Sequence, residues 1–234
     1  MPEGKRMLTI FEELEQGTDE WLAERCGILT ASVIGSLITT KTLKVAANDT
    51  SRALIATLAA ERITGHVEPI QPSRDMERGT LDEPYAREVY AEHYAPVNEI
   101  GFMVREDDGW GFKLGYSPDG LVGDKGLIEI KSRNQKKQLQ TVLADEVPAE
   151  NMAQLQTGLF VSGREWIDYN SYCGGMPMWT KRVEPDEKWH EAILQAATHA
   201  EELIQSAIAT YTLAVEGLPA TERIDHWAPL ELIF

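Results

Sequence analysis

Apolar and polar residues alternate with a helical period over most of the first 95 residues. The apolar positions recur every three or four residues, behind side chains that commonly cap helices and ahead of Gly65, which can end one. Four helices are predicted, beginning near Thr18 or Asp19, near Thr30 or Ser32, near Asp49 or Thr50, and at about Leu81. The fourth is expected to reach Tyr94, so this part of the chain is expected to be helical.

The pattern changes after residue 96 to short segments rich in β-branched and aromatic residues. Glycine or Asp-Gly pairs separate the segments 97–105, 111–116, 120–123 and 126–132, which predicts an antiparallel meander. Helical spacing returns over 135–144 and 149–161, and two further strands are predicted over 166–173 and 178–183.

The last predicted element is a long helix over residues 186–216. Its apolar stripe occupies positions 189, 193, 196, 200, 203, 207 and 211, with acids on the outer face and with Gly217 and Pro219 at its end. Together the elements predict an α/β (α+β) protein with a mixed central sheet flanked by helices. We expect one domain over residues 1–234, with a helical part at 1–95, the sheet and core at 96–183, and the C-terminal helix at 184–217 followed by a tail.

Composition narrows the class of protein. The 234 residues are 43% hydrophobic, which is enough for the core of one large domain. No window approaches the roughly eighteen uninterrupted apolar residues of a membrane span, and the first residues lack the apolar core of a secretion signal. We therefore expect a cytoplasmic protein without membrane contact. Cys26 and Cys173 are too few for a four-thiolate zinc or iron-sulfur site, and we expect both to be buried thiols.

The charge of the chain is negative and unevenly distributed. Its 22 Lys and Arg against 38 Asp and Glu give a net charge of -16, which argues against a protein that coats nucleic acid without specificity. Residues 184–234 hold ten acids and two bases, whereas residues 130–144 hold Lys131, Arg133, Lys136 and Lys137 and no acid. This basic stretch could bind an anion, or it could be the solvated start of a helix.

One predicted strand carries an acid and a base in an otherwise apolar run. Residues 115–132 read GYSPDGLVGDKGLIEIKS, and Ser117-Pro118-Asp119-Gly120 fits a type I turn. Because successive side chains of a strand alternate between its faces, Glu129 and Lys131 share one face. With Asp119 they could hold Mg²⁺ and assist phosphodiester cleavage. Glu129 and Lys131 could equally be a structural ion pair.

These residues resemble the active-site signature of PD-(D/E)xK nucleases, with Pro118-Asp119, nine residues, Glu129, one residue and Lys131. More specifically, the chain is similar to the phage lambda exonuclease family, whose members are also called YqaJ-like viral recombinases. The likeness spans about residues 16–183 and is carried by QGTDEWLAERCGILTAS, RGTLDEPYAR, YSPDGLV, LIEIKS and ENMAQLQTGLFVSGREWIDYNSY, in this order. It implies a restriction-endonuclease-like core.

The resemblance implies the roles of the central residues. Asp119 and Glu129 would be metal ligands, together with the backbone carbonyl of Ile130. Lys131 would be the catalytic lysine. Two Mg²⁺ ions per active site are implied, with Mn²⁺ able to substitute because both accept carboxylate and water ligands.

Two further positions match the active site of the family. Glu83 matches its additional acid, although the residue alone could be a first-turn acid that interacts favourably with a helix dipole ahead of Pro84. Gln154 matches its glutamine. Helical spacing instead favours Gln156 as the inward residue, because the apolar arc of that helix encloses position 156. The sequence leaves both glutamines open.

Arg25, Thr30 and Ser32 match residues that form, with Ser117, a pocket for a 5′-terminal phosphate in this family. An arginine fork, hydroxyl groups and a helix N-terminus suit a phosphate. Without the resemblance, Thr30 and Ser32 could simply cap a helix and Arg25 could pair with an acid of its own helix. A basic phosphate contact is also implied, and the sequence leaves open which residue serves among Arg133, Lys136 and Lys137.

The resemblance implies a metal-dependent deoxyribonuclease. The enzyme would be a Mg²⁺-dependent 5′-to-3′ exonuclease that degrades one strand of duplex DNA to 5′-mononucleotides and leaves a 3′ overhang for single-strand-annealing recombination. Its substrate would be duplex DNA ends with a 5′-phosphate. A homotrimeric ring, a single-strand annealing protein as partner, and a phage or prophage origin with activity in the bacterial cytoplasm are also implied.

Two other functions fit the same residues. A structure-specific or restriction-like endonuclease of the same fold would cut closed circular DNA, which an enzyme that needs a free end cannot. A non-catalytic DNA-end-binding module would keep the fold. Intact Asp119, Glu129 and Lys131 argue against the module, because a binding protein gains nothing from a buried pair of acids.

Overall fold

The computed structural model of the protein describes residues 6–69 and 71–224. In these ranges the helices are α1 (Asp19–Arg25), α2 (Ala31–Ile34, continued by a 3₁₀ turn over Gly35–Leu37), α3 (Asp49–Thr64), α4 (Arg74–His93), α5 (Gln135–Ala144), α6 (Ala149–Ser162) and α7 (Glu187–Ala214). The strands are β1 (Arg6–Phe11), β2 (Leu29–Thr30), β3 (Ile38–Thr39), β4 (Lys44–Val45), β5 (Phe102–Asp107), β6 (Leu114–Tyr116), β7 (Gly120–Val122), β8 (Gly126–Ser132), β9 (Trp166–Tyr172) and β10 (Trp179–Val183). The end of the expected tail, residues 225–234, lies outside the described residues. In the described ranges, no helix has the length and apolar character needed to cross a membrane.

The strands form two four-stranded sheets and a small hairpin. The first sheet has the order β1-β5-β6-β2 and the second the order β10-β9-β8-β7, while β3 pairs with β4. The pairs β2–β6 and β8–β9 are parallel and the other pairs are antiparallel. The predicted mixed α+β architecture is confirmed. The prediction that residues 1–95 are purely helical is wrong, because four short strands lie there. Each strand has six residues or fewer, which is too short for a clear period of apolar residues.

The predicted antiparallel meander over residues 97–132 is also wrong, because its strands divide between the two sheets. β5 pairs with β6 in the first sheet, whereas β7 pairs with β8 in the second. The chain passes from one sheet to the other between Tyr116 and Gly120, through the turn that contains Pro118. Glycine spacing indicates where strands end, but it does not determine which strands pair. The Ser117–Asp119 turn therefore lies where the two sheets meet.

Strand β8 lies at the centre of the fold, and its two faces pack against different clusters. Leu127 is fully buried in the larger cluster, whereas Ile128 and Ile130 pack with Tyr90 of α4 in the smaller one. Burial of each such side chain contributes about 1.5–3 kcal/mol to the free energy of unfolding. Glu129 lies on the face of Leu127, as alternation predicts, and is 1% exposed. A carboxylate so buried needs partners.

Helix α4 begins at Arg74, where Ser73 caps it, rather than near residue 81 as predicted. Its first two turns, over residues 74–80, hold Met76 as their one large apolar residue, so hydrophobic periodicity could not detect them. Pro84 lies inside the helix instead of at its start. Glu83 is therefore in the third turn, and the alternative interpretation of Glu83 as a first-turn acid is wrong. The helix dipole therefore does not explain the position of Glu83.

Helix α7 packs its first two thirds against α3 and the core. Its buried positions end at Ile204, and Leu203 and Tyr211 of the predicted stripe are 40% and 48% exposed. The acids of this helix face outward with one exception. Glu201 is buried and accepts two hydrogen bonds from Arg62 of α3, at 2.7 and 2.8 Å. The prediction of an acidic outer face is correct except at this residue.

The two cysteines are free thiols. Cys173 is buried, whereas Cys26 is half-buried beside the backbone carbonyl of Glu61 on α3. The expectation of two buried thiols is therefore correct for Cys173 alone.

Candidate active site

A cleft of about 460 Å³ lies between α1, α4, α6 and the end of β8. Of the thirteen residues that the sequence suggests for the site, ten line this cleft: Arg25, Thr30, Ser32, Glu83, Ser117, Asp119, Glu129, Ile130, Lys131 and Gln154. The remaining three, Arg133, Lys136 and Lys137, do not belong to its lining. The fold thus joins segments that are up to 129 positions apart in the sequence.

Glu129 accepts hydrogen bonds from three side chains at the floor of the cleft. Lys131 Nζ lies 2.7 Å and Gln154 Nε2 lies 2.5 Å from its Oε1, and the hydroxyl of Tyr116 lies 3.2 Å from its Oε2. Gln154 therefore faces the cleft. Gln156 is buried elsewhere, where it donates to the carbonyl of Glu184. Helical spacing favoured Gln156, and Gln156 is indeed the more buried of the two residues. Its burial is in the core, however, and does not bring its side chain to the cleft.

Asp119 closes the end of strand β8. β7 begins at Gly120, which pairs with Ile128, so this strand does not extend to Ile130. The carboxylate of Asp119 replaces the missing strand and accepts a hydrogen bond from the N–H of Ile130 at 2.6 Å. Burial raises the pKa of Asp119 well above its usual range, and repulsion from Glu129 and Glu83 raises it further. The carboxylate is thus held in a site that disfavours its negative charge.

Glu83 approaches the same two acids from helix α4. Burial raises its pKa, the positive charge of Arg87 opposes that effect, and Glu129 adds to the rise. Lys131 supplies the nearest positive charge within the cleft. Burial alone would lower the pKa of Lys131, but Glu129 and Asp119 outweigh burial and the net shift is upward. Lys131 is therefore protonated at neutral pH and acts as a hydrogen-bond donor.

The oxygen atoms of this cluster suit a hard divalent cation. Two carboxylates of raised pKa lie in a buried site with an excess of negative charge, which a cation would relieve. The N–H and C=O of one residue lie on the same edge of a strand, so the carbonyl of Ile130 points to the edge that Asp119 occupies. In the described ranges, no three acidic, His or Cys side chains converge on a common point. Asp119, Glu129 and the Ile130 carbonyl could hold a hard divalent cation if water completed its coordination.

A second group of polar side chains lies at the α1 side of the cleft. Arg25 donates to Ser117 Oγ at 3.3 Å and to Thr30 Oγ1 at 3.5 Å, and the Thr30 and Ser32 hydroxyls are 3.1 Å apart. Burial lowers the pKa of Arg25 to about 10, so the guanidinium is desolvated but still charged at neutral pH. One arginine and three hydroxyls in a cleft form a suitable pocket for a phosphate.

The simpler roles of these residues do not account for the pocket. Thr30 stands at the N-cap position of α2, but its side chain makes no capping hydrogen bond. Of the described residues, neither Glu24 nor Asp19 forms an ion pair with Arg25. Arg25 instead stacks on Trp21, 3.9 Å from the ring centroid.

Eight further residues that the sequence did not indicate line the cleft, and three of them donate hydrogen bonds to the turn or to Glu129. The indole N–H of Trp21 donates to Ser117 Oγ at 3.0 Å, and Gln16 Nε2 donates to the carbonyl of Pro118 at 3.2 Å. The third is Tyr116, the donor to Glu129. Trp21 could have been found, because it lies four positions before Arg25 and thus on the same face of a helix. Gln16 and Tyr116 carry no such signal.

The three basic residues outside the cleft have other surroundings. Arg133 Nη2 donates to Asn151 Oδ1 at 2.6 Å and to the hydroxyl of Tyr169 at 2.7 Å. Lys137 pairs with Glu150 at 3.7 Å. Lys136 is exposed on the first turn of α5. Their contact with DNA stays a prediction.

Comparisons with known proteins show which family and which solved structures the chain is similar to. Residues 20–165 match the model of the YqaJ-like viral recombinase domain. The structure is similar to that of an alkaline exonuclease, LHK-Exo, from Laribacter hongkongensis, with 30% identity, a TM-score of 0.74, and coverage of 86% of this chain and 100% of that chain. The structure of LHK-Exo in complex with dAMP gives the same values.

A phage related exonuclease from Haemophilus somnus 129PT shares the fold alone. Its TM-score is 0.59 at 12% identity, over 79% of this chain and 96% of that chain. No curated protein sequence matches the chain.

Proposed function

Because the chain belongs to the YqaJ-like viral recombinase domain family, we propose that it is a Mg²⁺-dependent exonuclease that degrades one strand of duplex DNA in the 5′-to-3′ direction. The family and the PD-(D/E)xK fold predicted from the sequence are confirmed. Nuclease activity on DNA follows from the family and from the likeness to an alkaline exonuclease over that protein's whole length. The direction, the end chemistry and the metal are our proposal.

One observation carries the proposal: the phosphate pocket and the carboxylate cluster share a single turn. Ser117, which accepts from Arg25, and Asp119, which borders Glu129, are two positions apart in that turn. A terminal phosphate held by Arg25 would therefore bring the first phosphodiester bond of the strand toward the carboxylates. Holding a bond in register with catalytic groups accelerates its cleavage. A DNA end, and not an internal site, would satisfy both groups.

The roles of the residues follow from their contacts. Asp119, Glu129 and the Ile130 carbonyl would hold Mg²⁺, which supplies an activated water and offsets charge on the phosphoryl group. Lys131, protonated and bound to Glu129, would donate to the attacking water or to a phosphate oxygen. Gln154 donates to the same oxygen of Glu129 as Lys131, and Tyr116 donates to the other oxygen, so together they fix the carboxylate. Arg25, Thr30, Ser32 and Ser117 would bind the 5′-phosphate.

Further proposals rest on the family. LHK-Exo has been crystallised with dAMP, a nucleotide of the kind that stepwise cleavage would release. We propose that the described core acts as one nuclease domain, that three copies form a ring around DNA, and that a single-strand annealing protein binds the exposed strand. Such a ring would reconcile the net charge of -16 with DNA binding. The acids of α7 would face outward and repel DNA everywhere except at the active sites.

Cleavage assays on three DNA substrates test the proposal. Wild type and Lys131→Ala are incubated in Mg²⁺ or in EDTA with linear duplex carrying a 5′-phosphate, the same duplex with a 5′-hydroxyl, and closed circular DNA. We expect mononucleotides from the phosphorylated linear duplex in Mg²⁺ only, and none with Lys131→Ala. Cutting of the circle would move the assignment to an endonuclease. Binding of ends without cleavage in any condition would favour a binding module.

A further inference from the structure

Arg87 contacts three groups around the candidate active site without lining the cleft. It lies on α4, one turn after Glu83, and its side chain is 16% exposed. One guanidinium nitrogen forms an ion pair with Glu83 Oε1, and Nε donates to the backbone carbonyl of Asp119 at 2.9 Å. Nη1 forms an ion pair with Glu99 Oε2 at 2.7 Å. Arg87 therefore joins Glu83 of α4 to the turn that carries Asp119.

The chemistry of the guanidinium makes this link rigid. An arginine head group is planar and presents its five donors in a fixed fork, so three contacts leave it little freedom. Glu83 comes from a helix and Asp119 from a turn 36 positions later. Among the described contacts, Arg87 is the side chain that bonds to both residues. One planar group thus ties the Glu83 carboxylate to the backbone of the turn that carries Asp119.

The turn is held from both sides, and the two sides have different partners. On the α1 side, Gln16 donates to the carbonyl of Pro118, and Trp21 and Arg25 donate to Ser117. On the α4 side, Arg87 donates to the carbonyl of Asp119. The α1 contacts belong to the phosphate pocket, whereas Arg87 belongs to the carboxylate cluster. Loss of Arg87 should therefore disturb the cluster more than the pocket.

We propose that Arg87 is a positioning residue for the metal-dependent step, because it ties the Glu83 carboxylate to the backbone of Asp119 beside the carboxylate cluster. Its positive charge lies beside Glu83 but outside the cleft, so it offsets negative charge without occupying the space of a cation. The proposal rests on the proposed nuclease function. It assigns to Arg87 no contact with DNA, with water or with the metal.

Two substitutions and one control test the role of Arg87. Arg87→Gln removes the charge and the fork, and Arg87→Lys keeps the charge but cannot reach all three partners at once. Glu99→Gln is the matched control, because Glu99 is 69% exposed and contacts Arg87 from outside the cleft. Each variant is measured for thermal unfolding, for kcat and KM on phosphorylated duplex, and for the Mg²⁺ concentration that gives half the maximal rate. Calorimetric titration with Mn²⁺, without DNA, gives a readout independent of activity.

We expect Arg87→Gln to lower kcat by at least roughly tenfold, the effect of one charged hydrogen bond, and to raise the half-maximal Mg²⁺ concentration and weaken Mn²⁺ binding. KM for DNA should change little. Arg87→Lys should recover part of both effects, and Glu99→Gln should stay within about twofold of wild type, as expected for an exposed ion pair.

A folded Arg87→Gln protein with wild-type kcat and metal dependence would overturn the proposal. A fall in kcat that follows the loss of folded protein, with unchanged Mg²⁺ and Mn²⁺ dependence, would also overturn it, because Arg87 would then be merely structural. If the wild type itself cleaves no DNA, the proposed function fails. The Mn²⁺ titration then decides the role of Arg87 alone.

Discussion

Replacing Arg25 by glutamine should abolish the preference for a 5′-phosphate without abolishing cleavage. The substitution removes the charge of the pocket but retains a polar side chain near Ser117 and Thr30. Arg25 makes only long contacts with these hydroxyls, at 3.3 and 3.5 Å. A phosphate could replace those contacts at little cost. A hydrogen bond to a charged group contributes about 1.5–3 kcal/mol, and the preference should therefore fall by roughly 10- to 150-fold.

The assay compares initial rates on two duplexes that differ only in having a 5′-phosphate or a 5′-hydroxyl on the degraded strand. Arg52→Gln is the matched control, because Arg52 is an arginine of α3 that is 64% exposed and pairs only with Asp49 and the carbonyl of Ala47 among its described contacts. It should retain the wild-type preference. Equal losses on both substrates in Arg25→Gln would refute the reasoning, since Arg25 would then support the fold of the cleft instead of reading the phosphate.

Three other changes test separate parts of the account. The double variant Lys136→Ala and Lys137→Ala should lower the slope of log DNA affinity against log salt concentration by up to the equivalent of about two phosphate contacts. An unchanged slope would show that neither lysine contacts the DNA. Arg62→Gln should destabilise the protein by roughly 2 kcal/mol at pH 7, because it removes the charged partner of the buried Glu201 carboxylate and leaves Gln205 as its described donor. Burial raises the pKa of Glu201, but hydrogen bonds from Arg62 and Gln205 outweigh burial and the net shift is downward. The stabilisation is therefore present above about pH 4.5 and is lost as the pH falls through the pKa of Glu201 in the folded protein. Unfolding of the variant and of the wild type should differ at pH 7 and differ less at pH 3. Gly158→Ala should lower the free energy of unfolding by about 1–3 kcal/mol, because a Cβ there would lie 2.7 Å from the ring of Tyr116. Activity should fall as well, since Tyr116 donates to Glu129. A stable, fully active variant would contradict this.

The sequence predicted local structure well where one strong pattern covered a whole element. Strand β8 and helix α5 have the predicted bounds, 126–132 and 135–144. The shared face of Glu129 and Lys131 follows from strand alternation alone. The first two turns of α4 escaped detection because one large apolar residue, Met76, cannot show a period. Its cap, Ser73, was the signal that could have marked its start.

Pairings between distant segments could not be predicted from pattern. Nothing local indicates that β6 and β7 belong to different sheets, or that Gln16 donates to the carbonyl of Pro118, 102 positions away. The resemblance to a family supplied ten of the residues that line the cleft, and it did so by position. It did not supply Tyr116 or Arg87, which act on the site through other residues. Such contacts become visible only once the distant segments are packed together.

The most direct test of the central claim follows which end of a strand is lost first. Duplex DNA with a 5′-phosphate is labelled on its 5′-terminal nucleotide or on its 3′-terminal nucleotide, and single-turnover cleavage is followed in Mg²⁺. We expect the 5′ label to be released at once as a mononucleotide, while the 3′ label stays in a shortening strand. Early release of the 3′ label, or products longer than one nucleotide from internal cuts, would contradict it.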